Sequence, residues 1–413
     1  MNSAFSEIQK RQLDLNSNGS RGVLFHPVTL FLASWCVVVG LYSLHLSELL
    51  LFDNSRVIRV ALWVVVPFVI MAWWAMAFYA VAPKKAVSSP RPFLDVAVVE
   101  RRLHYAFWVW VALTAFEVIV SGGLPIVWLI RGSSKTYVDF GVPSIHGLLN
   151  SLLLAIGLAE IGLLAIDRKR RHLWIPVWIV VWSIIAVTRN MMIVSLLEGG
   201  IAWGVTRGIR WRTVVKTVGV VAAVICIFGF VGDFRSGAEE FRQLAQPSAE
   251  YPSWLPSGVL WIYIYLTTSI GNLVNTVTVA TPLRNPFFPN TMALLFPSVI
   301  RNALYGPEGA TGALSGELVT DAFNVSTAYV GPYQDFGLMG IVLFSVLLAT
   351  TALYFWRRAG TKGALMYSVI GQCLVLSIFF NHLFYLPVIS QVAWIMFFFR
   401  RDRKVRTTEG VSE

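Results

Sequence analysis

The sequence predicts an all-α polytopic membrane protein, a bundle of about ten spanning helices with one long outer loop. Hydrophobic residues make up 56% of the 413 residues and charged residues only 13%. The mean hydropathy of +0.66 is too apolar for a soluble globular protein. Apolar runs of about the 20 residues that a helix needs to cross a bilayer recur along the chain. These observations place the chain among integral membrane proteins.

Short polar connections separate most of the apolar runs. The tightest connection is residues 188–190, ThrArgAsn, which we interpret as the tip of a helical hairpin with Arg189 at its centre. The run 258–280 is long enough to span, but the stretch after it is too short for a return crossing, so we predict an embedded or re-entrant helix. We predict spans at 27–46, 58–81, 104–121, 145–166, 173–188, 191–206, 214–231, 338–356, 363–381 and 383–399.

The loop cations predict the orientation of the bundle. With the N-terminus in the cytoplasm, most of the 33 basic residues fall in cytoplasmic connections, as the positive-inside rule requires. Residues 1–413 then form one membrane domain, and residues 232–337 form a large periplasmic loop within it. Because the basic residues cluster between apolar runs, they indicate topology and no nucleic-acid partner.

A second set of basic residues falls on the outer side, and all of them except Lys135 are arginines. The planar guanidinium suits bidentate binding of phosphate oxygens better than the lysine ammonium does. We favour a functional role for Arg189 and Arg235, and solvated loop positions for Arg56 and Arg59. The set is Arg56, Arg59, Arg131, Lys135, Arg189, Arg235, Arg242, Arg284 and Arg301.

Acidic residues, amides and histidines on the outer side offer several interpretations. Asp233, beside Arg235, is either half of a structural ion pair or an active-site group. Asp335 is a candidate base or an acid that caps the helix after it. The polar face of 258–280, with Asn272, is suited to lining a cavity. His382 is either a packed helix-end histidine or a second candidate base.

Three carboxylates fall inside predicted spans, where a charge is costly and points to function. Glu160 lies near the cytoplasmic end, within reach of the arginine cluster that begins at Arg168. Glu198 is more central, and Glu117 lies at the depth of the outer loop. The cysteines at 36, 226 and 373 have neither metal-site nor disulfide spacing, so we predict no metal ion.

Short motifs resemble those of the bacterial oligosaccharide repeat-unit polymerases, the Wzy-type O-antigen polymerases. They are SerGlyGlyLeuPro at 121–125, ThrArgAsn at 188–190, AspPheArgSerGly at 233–237 and SerThrAlaTyrValGlyProTyrGlnAspPheGlyLeuMetGly at 326–340. The resemblance implies a fold similar to membrane glycosyltransferases of the GT-C type, in a bacterial inner membrane. It also implies a periplasmic active site and a partner protein that sets chain length.

The reaction that the resemblance implies moves a growing glycan from undecaprenyl diphosphate to the non-reducing end of another lipid-linked repeat unit. Such a lipid diphosphate is already activated, so no nucleotide, cofactor or metal is expected. The departing diphosphate requires cations, which we assign to Arg189 and Arg235, with Arg301, Arg284 and Arg242 assisting. Asp233 and Asp335 are the candidates for the base that orients the attacking sugar hydroxyl, with His382 behind them. Tyr333, Asn272 and His382 complete the predicted substrate site.

Two alternatives remain open from the sequence. An O-antigen ligase of similar topology would join finished glycan to the lipid A core, and its family uses a histidine base in the outer loop. Residues 231–333 contain no histidine. A translocase for lipid-linked oligosaccharide would instead carry polar residues through the whole bundle.

Overall fold

The computed structural model describes residues 23–81, 95–208, 238–252, 254–255, 257–297, 299–304, 316–358 and 360–400, with isolated positions between 212 and 219. Within these residues the regular elements are helices, and one isolated bridge pairs Ser47 with Pro247. This confirms the all-α prediction. Apart from those isolated positions, the predicted span 214–231 lies outside the described residues, as do the predicted site residues Asp233 and Arg235.

Each of the other predicted spans coincides with one helix, apart from its end residues. The helices are α1 Pro27–Tyr42, α2 Asn54–Val81, α3 Val96–Ser121, α4 Pro125–Ile130, α5 Ile145–Asp167, α6 Trp174–Ile185, α7 Arg189–Arg207, α8 Ala238–Ala245, α9 Ser257–Val279, α10 Pro289–Met292, α11 Val330–Trp356, α12 Gly360–Val375 and α13 Leu386–Phe398.

Five helical stretches among the described residues are long and apolar enough to cross a membrane. They are Asn54–Phe78, Val96–Ile130, Ile145–Asp167, Val330–Trp356 and Gly360–Ile378, while α1 and α13 are shorter apolar helices. The chain is therefore a helical membrane protein. The structure supports five spans by length and composition, and the predicted number of ten stays a prediction.

Local sequence fixes several helix ends. Asp95 caps α3 by accepting hydrogen bonds from the backbone N–H groups of Ala97 and Val98 at 3.1 and 3.3 Å. The same helix stops at Gly122, whose φ of +76° is a conformation that glycine adopts without strain. Proline stands in the first turn of α1, α4 and α13, where its missing N–H costs nothing.

Contacts between helices define two ends of the bundle. The Tyr367 hydroxyl donates to the Phe25 carbonyl at 2.5 Å, and Trp35 Nε1 donates to Ser377 Oγ at 3.1 Å, so α1 and α12 run parallel. Gly204 in α7 lies against Phe25, so α7 runs in the opposite direction. We call the end with connections 43–53 and 379–385 the loop end. The opposite end, with Arg168–Arg171, Arg207 and Arg357–Arg358, is the basic end.

The centre of the bundle is formed by α5 and α12, and α2 and α3 lie at its periphery. In the most apolar stretch of both α5 and α12, 83% of the residues are buried, against 33% for α2 and 28% for α3–α4. The outer faces of α2 and α3 expose large apolar side chains such as Trp73, Trp74 and Ile119. An apolar surface of this extent is suited to lipid contact.

Both ends of α9 bind residues at the loop end. Near its start, the Tyr263 hydroxyl accepts a hydrogen bond from Leu46 N at 2.9 Å. Near its end, the Val277 carbonyl accepts one from the Tyr333 hydroxyl at 3.0 Å. A helix that crossed the bundle would contact opposite ends, so α9 lies along the loop end, in agreement with the prediction for 258–280.

A sharp kink divides α11 into a short first part and the span proper. Phe336 and Gly337 have non-helical backbone angles, and Gly337 has φ +62° and ψ −144°, a region almost restricted to glycine. A Cβ on Gly340 would lie 1.9 Å from the Pro332 carbonyl oxygen, so the two parts of α11 touch here. The kink explains why the predicted span at 338–356 starts later than the helix.

We expect Gly340→Ala to lower the free energy of unfolding by about 3 kcal/mol or more, because the contact is with backbone that cannot move aside. The measurement is the thermal unfolding midpoint in detergent. Gly200→Ala in α7 is the matched control, since nothing lies within 4 Å of its Cβ position. That variant should be neutral or gain about 0.5–1 kcal/mol. Equal midpoints for the two variants would contradict the close contact.

Candidate functional site

Asp335 lies fully buried next to the kink of α11, with both carboxylate oxygens occupied. Oδ1 accepts from the backbone N and the side-chain amide of Asn290, both at 2.9 Å. Oδ2 accepts from the backbone N and the hydroxyl of Thr291, both at 2.7 Å. A carboxylate with four donors holds a loop in place, and it presents no free lone pair to a substrate. The geometry therefore gives Asp335 a positioning role.

The loop that Asp335 holds carries Arg284. On either side of this arginine, Leu283 N donates to the Gln334 carbonyl at 2.8 Å, and Asn285 N donates to the Asp335 carbonyl at 3.0 Å. Arg284 itself has φ +52° and an exposed side chain. A non-glycine residue in this conformation is strained by about 1 kcal/mol or more. The backbone of Arg284 is thus fixed, while its guanidinium faces outward.

The α12–α13 connection joins the same network. Asn381 Nδ2 donates to the Thr291 carbonyl at 3.2 Å, which ties the connection to the loop held by Asp335. The next residue, His382, is buried and its Nδ1 lies 2.7 Å from Gln372 Nε2. With the amide in this orientation, Nδ1 accepts and the ring proton is on Nε2. Burial lowers the pKa of His382 to about 4, so the imidazole is neutral near pH 7.

Tyr385 links His382 to Arg301. The His382 and Tyr385 rings meet edge to face with centroids 6.1 Å apart. Burial raises the pKa of the Tyr385 hydroxyl, and the nearby positive charge of Arg301 lowers it in part. Arg301 Nε is buried without a hydrogen-bond partner among the described residues. Such a donor is costly unless a ligand accepts its hydrogen bond.

The four described arginines that the sequence assigned to diphosphate binding form no ion pair with a described acid. They are Arg189, Arg242, Arg284 and Arg301. By contrast, Arg56, interpreted as a solvated loop residue, lies 3.9 Å from the Asp53 carboxylate. Arg189 is exposed at the start of α7, at the loop end. The loop end therefore presents guanidinium groups without described acidic partners, which attracts anions.

Arg242 is the member that the structure places apart from Arg284 and Arg301. Its helix α8 packs against the start of α9, where the Phe241 and Trp261 rings stack at 3.9 Å. Tyr333 contacts Val277 at the other end of α9, and Val277 lies about 24 Å from Trp261 along the helix axis. Arg242 is therefore distant from the network around Asp335, because α8 and that network contact opposite ends of α9.

Asn272 and Tyr333 have structural partners. Asn272 Nδ2 donates to the carbonyls of Phe323 and Val325 at 3.2 and 2.9 Å, and its Oδ1 accepts from Val319 N at 2.8 Å. The Tyr333 hydroxyl donates a hydrogen bond to the Val277 carbonyl, and the Tyr333 ring is buried. The polar face of α9 was expected to line a cavity. Instead, it forms hydrogen bonds with the backbone of 317–325.

Sequence reasoning missed Gln372, Asn381 and Tyr385. The available signal was the sequence AsnHisLeuPheTyrLeuPro at 381–387, in which polar and aromatic residues precede a proline that starts a helix. Gln372 gives no such signal, because a lone amide inside an apolar run does not show which neighbour it meets.

A second polar group at the loop end joins Glu117, one of the carboxylates inside predicted spans, to a histidine of α5. Glu117 is buried in α3, and its Oε2 lies 3.0 Å from His146 Nδ1 in α5. Its Oε1 accepts from Val142 N at 3.0 Å, and His146 Nε2 lies 3.0 Å from Asn150 Nδ2. Glu117 thus fixes the α3–α5 connection and orients the imidazole.

Glu100, Asp167 and His172 form a group at the basic end, with potential metal-ligand atoms within 4.8 Å of one another. His172 Nε2 lies 3.1 Å from Asp167 Oδ2, and Nδ1 lies 2.5 Å from Glu160 Oε2. Arg171 pairs with Glu100, and Lys169 pairs with Asp167. Each acid already has a cationic partner, so the group is explained as an ion-pair network. Glu160 pairs with His172 and not with the arginine cluster.

We expect His172 to stabilise the fold most at acidic pH. Burial lowers the pKa of His172, but hydrogen bonds with Glu160 and Asp167 outweigh burial and raise it above 6.5. The stabilisation by the charged ring is complete below pH 6.5 and is lost as pH rises through the folded-state pKa. The difference in thermal midpoint between wild type and His172→Gln should therefore shrink towards alkaline pH. A difference that grew with pH would contradict the ion pairs.

Comparisons with known proteins identify no relative: no family model, no curated protein and no solved structure matches this chain.

Proposed function

We propose that this chain is a membrane glycosyltransferase of the polysaccharide-polymerase type. It transfers a growing glycan from undecaprenyl diphosphate to the non-reducing end of a lipid-linked repeat unit. It acts at the periplasmic face of a bacterial inner membrane, which corresponds to the loop end. The observation that carries the proposal is the set of arginines there without described acidic partners, above all Arg301 with its buried, unpartnered Nε.

The reaction breaks the bond between the anomeric carbon of the donor glycan and its diphosphate oxygen. A hydroxyl of the acceptor sugar forms the new glycosidic bond and loses its proton, while the lipid diphosphate leaves with the bonding electrons. Negative charge therefore accumulates on the diphosphate, where fixed guanidinium groups stabilise it. Arg284 and Arg301 stand beside the network of Asp335, Asn381 and His382, and Arg189 adds charge at the same end.

His382 suits hydrogen-bond donation better than proton removal in this scheme. His382 Nδ1 accepts a hydrogen bond from the Gln372 amide, so the Nε2–H group remains as the donor. The ring is neutral at pH 7, because burial lowers its pKa to about 4. A neutral N–H can donate to a phosphate oxygen without changing its charge state. Because Asp335 is saturated with donors, we assign the acceptor-orienting base to Asp233 and keep Asp335 as the positioning residue.

The test is a reconstitution of purified protein in proteoliposomes with a synthetic undecaprenyl-diphosphate-linked repeat unit, with and without chelator. We expect longer glycans on the lipid diphosphate and release of one undecaprenyl diphosphate per bond formed, in both conditions. In a strain lacking its own polymerase, Arg189→Ala and Arg235→Ala should leave single-repeat lipopolysaccharide. Arg59→Ala, which changes an exposed loop-end arginine outside the proposed site, should give the full ladder.

Other outcomes would identify the alternatives. Transfer of preformed polymer to a lipid A core acceptor, without extension of the repeat unit, would indicate a ligase. Movement of the lipid-linked unit across the bilayer without a new glycosidic bond would indicate a translocase. Either result would contradict the proposed polymerase.

A further inference from the structure

A cleft at the basic end lies between α5 and α7, away from the loop-end site. It is lined by Leu164, Arg168, Trp203 and Arg207. Two cations and two apolar side chains thus face one depression where two apolar helices end. This combination suits a ligand that carries both a phosphate and a hydrocarbon chain.

Arg168 is an unusual residue for its backbone position. It follows the last residue of α5 with φ +59° and ψ +17°, a left-handed conformation that usually takes glycine. Its side chain is exposed and has no ion pair with a described acid. A strained arginine with a side chain directed to solvent is a reason to look for a ligand.

Arg207 is held close to the same helix end. Its Nη2 donates to the Ala165 carbonyl, which anchors the guanidinium over the last turn of α5. The nearby acid Asp167 is neutralised by Lys169 at 3.4 Å and by His172 at 3.1 Å. Among the described residues, the lining of the cleft therefore contains two cations and no acid.

The apolar side of the cleft contains Leu164 and Trp203. Trp203 is 37% exposed, and tryptophan favours the headgroup level of a membrane. If the basic end faces the cytoplasm, it meets the leaflet that attracts basic segments through its anionic lipids. We infer that this cleft binds an anionic phospholipid, with its phosphate between Arg168 and Arg207 and its first acyl carbons against Leu164 and Trp203.

The test measures lipids retained by the purified chain. Protein is exchanged into vesicles of equal parts phosphatidylglycerol and phosphatidylcholine, extracted, and analysed by native mass spectrometry. Wild type should retain phosphatidylglycerol in preference to phosphatidylcholine. Arg168→Ala should lower that preference about five-fold, the effect of one basic residue at an anionic membrane surface.

Two further variants make the result specific. Arg170→Ala removes an exposed cation from the same run outside the cleft, so it should retain lipid as wild type does. Arg168→Gly should lower lipid retention and raise the thermal midpoint, because glycine relieves the left-handed strain.

Three outcomes would overturn the inference. The first is a wild-type protein without preference for phosphatidylglycerol. The second is an equal loss in Arg168→Ala and Arg170→Ala, which would indicate a diffuse field. The third is displacement of the lipid by millimolar inorganic phosphate, which would indicate a phosphate site. None of these outcomes bears on glycan transfer at the loop end.

Discussion

Replacing Arg301 by alanine is expected to lower the rate of the proposed glycan transfer by about 10²–10³-fold, the usual effect of removing one preorganised charge-stabilising donor. The physical reason is the placement of its guanidinium. Nε is buried without a partner among the described residues, and its charge acts on the Tyr385 hydroxyl. No described acid competes with a diphosphate for this cation. The measurement is the release of undecaprenyl diphosphate from the synthetic lipid-linked unit.

The kinetic constants distinguish this role from simple binding. Loss of an interaction made mainly in the transition state lowers kcat more than it raises KM. Arg301→Lys keeps the charge but loses the planar fork, so it should recover only part of the rate. Arg59→Ala is the control, because it removes a loop-end arginine from an exposed position on α2. Wild-type rates in Arg301→Ala would exclude Arg301 from the site.

Replacing Asp335 by alanine is expected to destabilise the protein by about 3–5 kcal/mol, because four donors lose their acceptor in a buried place. These donors are the backbone N–H groups of Asn290 and Thr291, the Asn290 amide and the Thr291 hydroxyl. The loop with Arg284 should then detach from α11. The measurement is the thermal midpoint in detergent, with limited proteolysis at 283–291. The control Asp321→Ala, at an exposed position, should stay within about 0.5 kcal/mol.

A second comparison separates a positioning role for Asp335 from a catalytic one. Thr291→Val removes one of the four donors to Asp335. If Asp335 has a positioning role, this variant lowers both stability and activity, but less than Asp335→Ala does. A catalytic base would instead leave Thr291→Val active, and Asp335→Asn would abolish activity with little loss of stability. That second pattern would contradict the role that the hydrogen bonds indicate.

Helix positions could be predicted from the sequence because spans and caps depend on local composition. The runs at 145–166 and 363–381 were visible as apolar stretches, and the structure places helices α5 and α12 on them. The sequence also predicted a solvated loop position for Arg56, and the structure places it near Asp53, three residues away. What it could not give was the partner of a polar side chain distant in sequence, such as Thr291 for Asp335 or Gln372 for His382.

The same limit explains why Asn272 was assigned to substrate and Tyr385 was overlooked. An amide on a helix face is suited equally to a cavity or to neighbouring backbone, and only the path of 317–325 decides between them. Tyr385 acquires its setting from Arg301, which lies 84 residues earlier in the chain. Neither periodicity nor spacing encodes such a contact.

The sequence by itself determined that this is a helical membrane protein, because transfer of apolar residues into lipid depends on composition alone. The tertiary structure decided which polar groups are occupied and which are left for a ligand. It saturated Asp335, Asn272 and Tyr333 with internal hydrogen bonds, and it left Arg301 and Arg284 without described acidic partners. That division depends on packing between distant segments, since a buried polar atom is satisfied only by whatever the fold brings within hydrogen-bonding distance.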